Sequence, residues 1–82
     1  MTYGQLTDKI FADMDRTIKM IDAHTEHHYR VVYYQLRDGG MSSRRALAKI
    51  RKECNVYREK AWARHFKKCK HINKIRREML FA

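Results

Sequence analysis

Eight cationic side chains in the second half of this chain, Arg45, Lys49, Lys52, Lys60, Lys67, Lys70, Lys74 and Arg77, recur at helical spacing. Residues three and four apart share one face of a helix. At about 1.5 Å of rise per residue, Arg45 to Arg77 makes a track of roughly 48 Å. Lys and Arg along such a track can neutralise successive phosphates and release their counterions, which makes affinity steeply dependent on salt. The track is mostly Lys, a point charge, whereas Arg is the better bidentate reader of guanine edges. Binding to phosphate backbone and helix shape is therefore expected more than base readout. The bland alternative is the solvated outer face of an ordinary bundle helix. Such a face is usually mixed in sign, and here Glu59 is the acid close to the track.

A second basic set, Arg44, Arg51, Arg58 and Arg76, flanks the apolar side of the same stretch. Their stems can cover apolar surface while the heads stay wet. Arg44 and Arg51 are expected to add phosphate contacts near the start of this stretch. Trp62 and Phe66, four apart, could stack unpaired bases. An aromatic pair at helical spacing more often fills a core or a dimer interface, and that reading is favoured here because the fold needs cover there; under the rival adaptor reading Trp62 and Phe66, with Leu80 and Phe81, are candidate partner anchors.

The histidines are His24, His27, His28, His65 and His71. His24 and His28 are four apart and would lie opposite Cys54 if the two halves of the chain run antiparallel. His65 and Cys69 form another pair at that spacing. Imidazole and thiolate so placed can chelate zinc. There is no Cys-x-x-Cys, so no metal and no cofactor is assigned, and the histidines read as polar positions at an interface. A nuclease could use His as general acid or base beside Lys. Nothing in the spacing joins a nucleophile, a base and an orienting group, and no glycine-rich phosphate loop is present; an enzyme is not expected.

Two helices must position these groups. Leu47, Ile50, Cys54, Tyr57, Ala61, Ile72 and Met79 form an apolar line opposite the cationic one. Upstream, Leu6, Ile10, Met14, Ile18, Ile21, Thr25, Val32 and Leu36 recur at three and four, with Asp8, Asp15, Asp22 and Glu26 on the outer face. Thr2 with Gln5 fits a capping box. Tyr29–Tyr34 is β-branched and aromatic on nearly all sides, but its flanks are helical and no second strand exists to pair with it. Asp38-Gly39-Gly40 breaks the pattern, since glycine supplies the left-handed conformation that ends a helix, and Ser42 or Ser43 can cap the next one. The expected organisation is a single all-α domain over 1–82: helix 1 about 3–38, a turn at 38–42, and a basic helix 2 about 43–80. The architecture is an antiparallel two-helix hairpin. A helix-turn-helix broken near Asn55 fits less well, because the periodicity continues there without a phase jump.

A hairpin alone cannot enclose a core, and a domain of this size buries only about 60–65% of its unfolded surface. A homodimer forming a four-helix bundle covers Trp62, Phe66 and Val31–Tyr34 most simply. A fold-back of Met79-Leu80-Phe81-Ala82 onto the hairpin is the alternative.

Charge and composition agree with a binding role. Residues 1–40 carry five basic and six acidic side chains, and residues 41–82 carry fourteen and three, a balance of −1 and +11 that returns the net +10. Such asymmetry marks an interaction surface for a polyanion. Cys54 and Cys69 would lie roughly 22 Å apart on one helix, too far for a disulfide, and read as reduced thiols. With no basic segment leading into an apolar one at the N-terminus, no signal peptide is expected, and no apolar run would span a membrane. A cytoplasmic location follows as the expectation. The function expected is a small accessory or regulatory protein that binds DNA or RNA. The rival is an inhibitor or adaptor whose basic helix docks on an acidic protein surface, including a nucleic-acid-binding groove. A membrane-surface helix fits less well, because the apolar face is committed to the other helix.

Overall fold

The structure, a computed structural model, describes residues 1–81. It is all-α. Helix α1 spans Tyr3–His27; a π-helical segment, His28–Val32, leads without a break into α2, Tyr33–Asp38; and α3 spans Ser43–Phe81. No strand occurs among the described residues. The molecule is a rod of 62 × 15 × 12 Å.

Local chemistry sets where the helices start and stop. The Thr2 side chain accepts from the Gln5 amide at 3.2 Å, and the Gln5 side chain accepts from the Thr2 amide at 2.9 Å. This reciprocal capping box satisfies two amides that the first turn would otherwise orphan. At the other end, Met41 N–H donates to Leu36 O and Gly40 N–H to Arg37 O, both at 3.0 Å. That pair of bonds is a Schellman closure, and it puts Gly40 at φ 95°, where a side chain would be strained. Ser42 Oγ accepts from the Arg45 amide at 3.3 Å and starts α3. A Tyr33 hydroxyl–Ser43 Oγ bond of 2.8 Å ties the two sides of the turn.

Contacts between the helices run in opposite order along them. Tyr33 meets Ser43, His28 meets Glu53, Asp13 meets His65, and Tyr3 meets Arg76. The core between them is narrow: Leu6, Ile21, Ala46, Ile50, Cys54 and Ala61 are buried, together with Thr17 and His65. Ala46, Cys54 and Ala61 are small, which lets the two backbones approach closely along α3. Thr17 is a tolerable buried residue because its hydroxyl donates to Asp13 O at 2.8 Å.

Several details differ from the sequence reading. Ile18 is 41% exposed, and Thr17 takes the inward position. At about 100° per residue, Ile18 lies roughly 90° from the line through Leu6, Thr17 and Ile21. Met79, placed on the apolar line, is also largely exposed. The segment Met79–Phe81 continues α3 and does not fold back, and Leu80 and Phe81 face solvent. α3 passes through Asn55 unbroken, so the helix-turn-helix alternative does not hold. The aromatic and β-branched stretch is helical, but its first part is π-helical: Tyr33 N–H reaches back to His28 O. Val31 and Tyr34 remain exposed, while Val32 and Tyr33 turn inward.

Candidate nucleic-acid interface

All ten cations singled out in the sequence, Arg44, Arg45, Lys49, Arg51, Lys52, Lys60, Lys67, Lys70, Lys74 and Arg77, are exposed. Position in a long helix explains this. The buried residues of α3, Ala46, Ile50, Cys54, Ala61 and His65, hold one face against α1, and the eight track residues occupy the opposite one. Among the described residues, none of the ten takes part in an ion pair. Their charge is therefore directed at solvent.

The track has two parts. Lys67, Lys70, His71, Lys74 and Arg77 line a shallow recess of about 450 Å³. Lys49, Lys52 and Lys60 line another, of about 530 Å³, with His24, Glu53, Val56 and Tyr57. A third recess, of about 610 Å³, lies between the helices and joins Lys67, Lys68, His71 and Ile72 to Lys9, Asp13 and Arg16. Helix α1 thus adds Lys9 and Arg16 to the cationic surface, and Arg64 and Lys68 lie beside them. Sequence reasoning passed over these four. Lys9 and Arg16 stand among acidic neighbours in α1, and only the pairing of the helices brings them beside Lys67.

Of the second basic set, Arg44, Arg51 and Arg58 are exposed like the track, and Arg76 alone differs. Arg76 is half-buried; its guanidinium sits 4.5 Å over the Tyr3 ring and donates to the Tyr3 hydroxyl at 2.8 Å and to Asn73 Oδ1 at 2.9 Å. It holds the start of α1 against α3 and is not available to a partner. Trp62 is half-buried and Phe66 is 63% exposed, with their rings stacked at 5.9 Å. Of the four anchor residues, Phe66, Leu80 and Phe81 are exposed and Trp62 is not.

Two polar clusters cross between the helices. In the first, His65 Nδ1 lies 2.8 Å from Asp13 Oδ2, and Lys68 Nζ donates to Asp13 Oδ1 at 3.1 Å. The bond from His65 holds the Asp13 carboxyl below its ordinary pKa of 3.8, with Lys68 adding to the effect and burial opposing it. An ionised carboxylate only accepts, so Nδ1 of His65 carries the proton, and the Cys69 sulfur sits over the ring, 3.3 Å from Nε2 and 3.9 Å from Nδ1. Cys, His and Asp are connected in the order of a catalytic triad. The thiol, however, is held protonated: burial raises its pKa, and Asp13 raises it further. The small cavity here, about 60 Å³, is lined by Asp13, Thr17, Ala61, His65 and Lys68 with Arg16, Met20 and Arg64, not by Cys69. The cluster thus fixes the pairing of the helices more than it prepares a nucleophile.

The second cluster is His24, His28 and Cys54, whose ligating atoms lie within 4.8 Å of one another. His24 is sandwiched between His28 at 4.0 Å and Tyr57 at 3.8 Å. Burial lowers the His24 pKa, and the neighbouring His28 lowers it further, against an opposing pull from Glu53.

The chain matches no protein-family model, no curated protein and no solved structure. Its function is therefore argued from its own residues. No described helix is long and apolar enough to cross a membrane.

Proposed function

We propose that this chain is a small nucleic-acid-binding protein of accessory or regulatory role, which grips the phosphate backbone of duplex DNA or structured RNA through the cationic face of α3. The observation that carries this reading is the set of ten exposed cations without an ion-pair partner among the described residues. A solvated structural face would neutralise part of its charge, as Lys19–Asp15 and Arg30–Glu26 do on the first helix, at 3.0 Å each. Lys9, Arg16, Arg64 and Lys68 widen the surface at its C-terminal half. The scaffold of this reading is an antiparallel hairpin, and two copies pair as a four-helix bundle. Phe11, Ile18 and Phe66, all exposed in the single chain, are the apolar groups that such pairing would cover.

The binding mode fixes a measurable signature. Eight track cations at a slope of about −0.9 each give a log–log salt slope near −7, so raising salt from about 50 to 200 mM weakens binding by about 10⁴-fold. Fluorescence polarisation with random duplex DNA and with structured RNA reads this directly. Reversing Lys67, Lys70 and Lys74 to Glu removes three contacts and brings the slope to about −4.5 or shallower. Unchanged affinity in that triple variant refutes the track. Light scattering at micromolar concentration tests the dimer, and a monomer there refutes it.

The exposure of Phe66 at 63%, Leu80 at 64% and Phe81 at 87% favours a second reading. In it, the same helix is an inhibitor or adaptor that seats these side chains in an acidic groove of a larger protein. That interaction survives partial charge reversal and fails on Phe66→Ala, the opposite of the expectation for nucleic acid.

A further inference from the structure

Three groups with lone pairs, His24, His28 and Cys54, converge from both helices beside the turn half of the rod, and the Glu53 carboxylate lies next to His28. His24, His28 and Cys54 each present a ligating atom, and these atoms lie within 4.8 Å of one another. The hydrogen-bond pattern decides what they can accept. His28 Nδ1 is 2.9 Å from the His24 carbonyl oxygen, which can only accept, so Nδ1 carries the hydrogen. His28 Nε2 faces Glu53 Oε2 at 3.3 Å, a contact that a proton on Nε2 makes an ion pair and that a bound metal ion can replace. His24 Nδ1 is buried and has no hydrogen-bond partner, although buried polar atoms are almost always paired. Cys54 is a buried free thiol.

We infer that His24, His28, Cys54 and Glu53 form a tetrahedral site for a zinc-class divalent ion that clamps the first helix to α3. The donor set is two imidazoles, one thiolate and one carboxylate, which suits zinc and excludes magnesium and calcium, whose ligands are oxygens. Bonds of about 2.0–2.3 Å at tetrahedral angles place ligating atoms roughly 3.3–3.7 Å apart. The three atoms within 4.8 Å thus need to close by about an ångström, which side-chain rotation supplies as the stacked imidazoles splay, and Glu53, which lies outside that group beside His28, completes the set by swinging its carboxylate inward. The thiol proton of Cys54 leaves to solvent as the sulfur takes the metal. The bond from His28 Nδ1 to a backbone carbonyl is the outer-shell contact that orients a ligating imidazole. The site opens into the recess shared by His24, Glu53 and Tyr57 with the lysine track, which is a path for the ion. It also stands where the helix becomes π-helical, at His28, and such departures often mark functional positions. The Asp13–His65–Cys69 cluster is no competitor, because the Asp13 carboxylate is already held by His65 Nδ1 and Lys68.

The full chain, stripped with a chelator, is titrated with Co²⁺ and then with Zn²⁺ under reducing conditions. One equivalent of Co²⁺ per chain should produce a thiolate-to-metal charge-transfer band with intense visible bands of tetrahedral cobalt, and Zn²⁺ should erase both. Cys54→Ser should abolish the charge-transfer band. His24→Gln and His28→Gln should each weaken affinity by more than the roughly 10–100-fold that outer-shell changes cause, and Glu53→Gln should weaken it by at least about 10-fold. Cys69→Ser should leave the titration unchanged. Absence of the band in the unmodified chain overturns the site, as does its loss on Cys69→Ser with retention on Cys54→Ser. Should Cys54→Ser fail to fold, zinc-edge X-ray absorption of the unmodified chain decides: one sulfur with three nitrogen or oxygen neighbours supports the site, and no sulfur overturns it.

Discussion

Replacing Asp13 by Ala tests the clearest energetic statement the structure makes. The side chain of His65 is 4% exposed and that of Asp13 15% exposed, so their 2.8 Å bond is made away from bulk water. Removing the carboxylate leaves the His65 Nδ1–H buried without its acceptor, which costs about 1–3 kcal/mol. Lys68 loses a partner too, but its side chain is 59% exposed, and such a pair contributes about 0–1 kcal/mol. The cavity of about 60 Å³ beside the network can admit water to the orphaned donor. A net loss of about 2 kcal/mol is expected, within a total stability of about 4–12 kcal/mol for a chain of this length. Thermal unfolding followed by circular dichroism, at fixed protein concentration, should show the midpoint fall by about 8–16 °C. Asp13→Asn keeps an acceptor for His65 and should lose less. Adding His65→Leu to Asp13→Ala removes the orphan and should restore part of the loss.

The same network sets a pH dependence with a definite sign. The Asp13 carboxyl has a lower pKa in the folded chain than in the unfolded one, chiefly through the His65 bond, so the unfolded state takes up a proton first as pH falls. Its contribution is complete above the unfolded value of 3.8 and is lost as pH drops below it through the folded value. Asp13→Asn should lack this part of the acid destabilisation. If Asp13→Ala unfolds within about 1 °C of the unmodified chain at neutral pH, the network does not stabilise the pairing and the reasoning fails.

Two further substitutions probe the scaffold. Gly40→Ala forces a side chain into φ 95° and should cost about 1–2 kcal/mol. Gly39→Ala, where a Cβ would meet Gln35 and Leu36 carbonyl oxygens at an ordinary 3.5 Å, should be neutral or slightly stabilising in the same melting assay. Ile50 is fully buried, and Ile50→Ala should lower stability by about 2–5 kcal/mol, while Ile18→Ala, at an exposed position, should cost far less in denaturant titration.

The helical class was legible because apolar residues at three and four have one physical meaning in a chain without proline. The caps were legible because they are local: Thr2 needs only Gln5, and the turn needs only Gly40. The cationic face was readable for the same reason, being the back of one continuous helix. What escaped notice depends on pairs far apart in sequence. Asp13 looks like its neighbours Asp8 and Asp15, and nothing nearby says that it faces His65, 52 residues away. Lys9 and Arg16 join the basic surface only through Lys67 and His71. Ile18 fitted a count of three and four but not the cumulative angle, and the inward place fell to a threonine that could satisfy its hydroxyl on its own helix. The π-helical segment has no sequence signal of that kind, since the stretch from Tyr29 to Tyr34 suits any tightly packed helix.

That segment has a consequence for how the chain tolerates insertion and deletion. A π turn accommodates one more residue than an α turn, so the five residues from His28 to Val32 act as a phase adjuster of about 100° between α1 and α2. Deleting Tyr29 would convert it to plain α-helix, and because four α residues turn about as far as five π residues, both sides of the helix would keep their facing. Forcing all five residues into an α ladder would instead add about 100° of rotation and, with the turn end anchored through Tyr33 and Ser43, carry Ile21, Thr17 and Leu6 away from α3 together. A one-residue deletion is thus better absorbed in this stretch than within α1, where it would turn the buried residues by about 100°, and the exposed Val31 and Tyr34 are free to vary in identity.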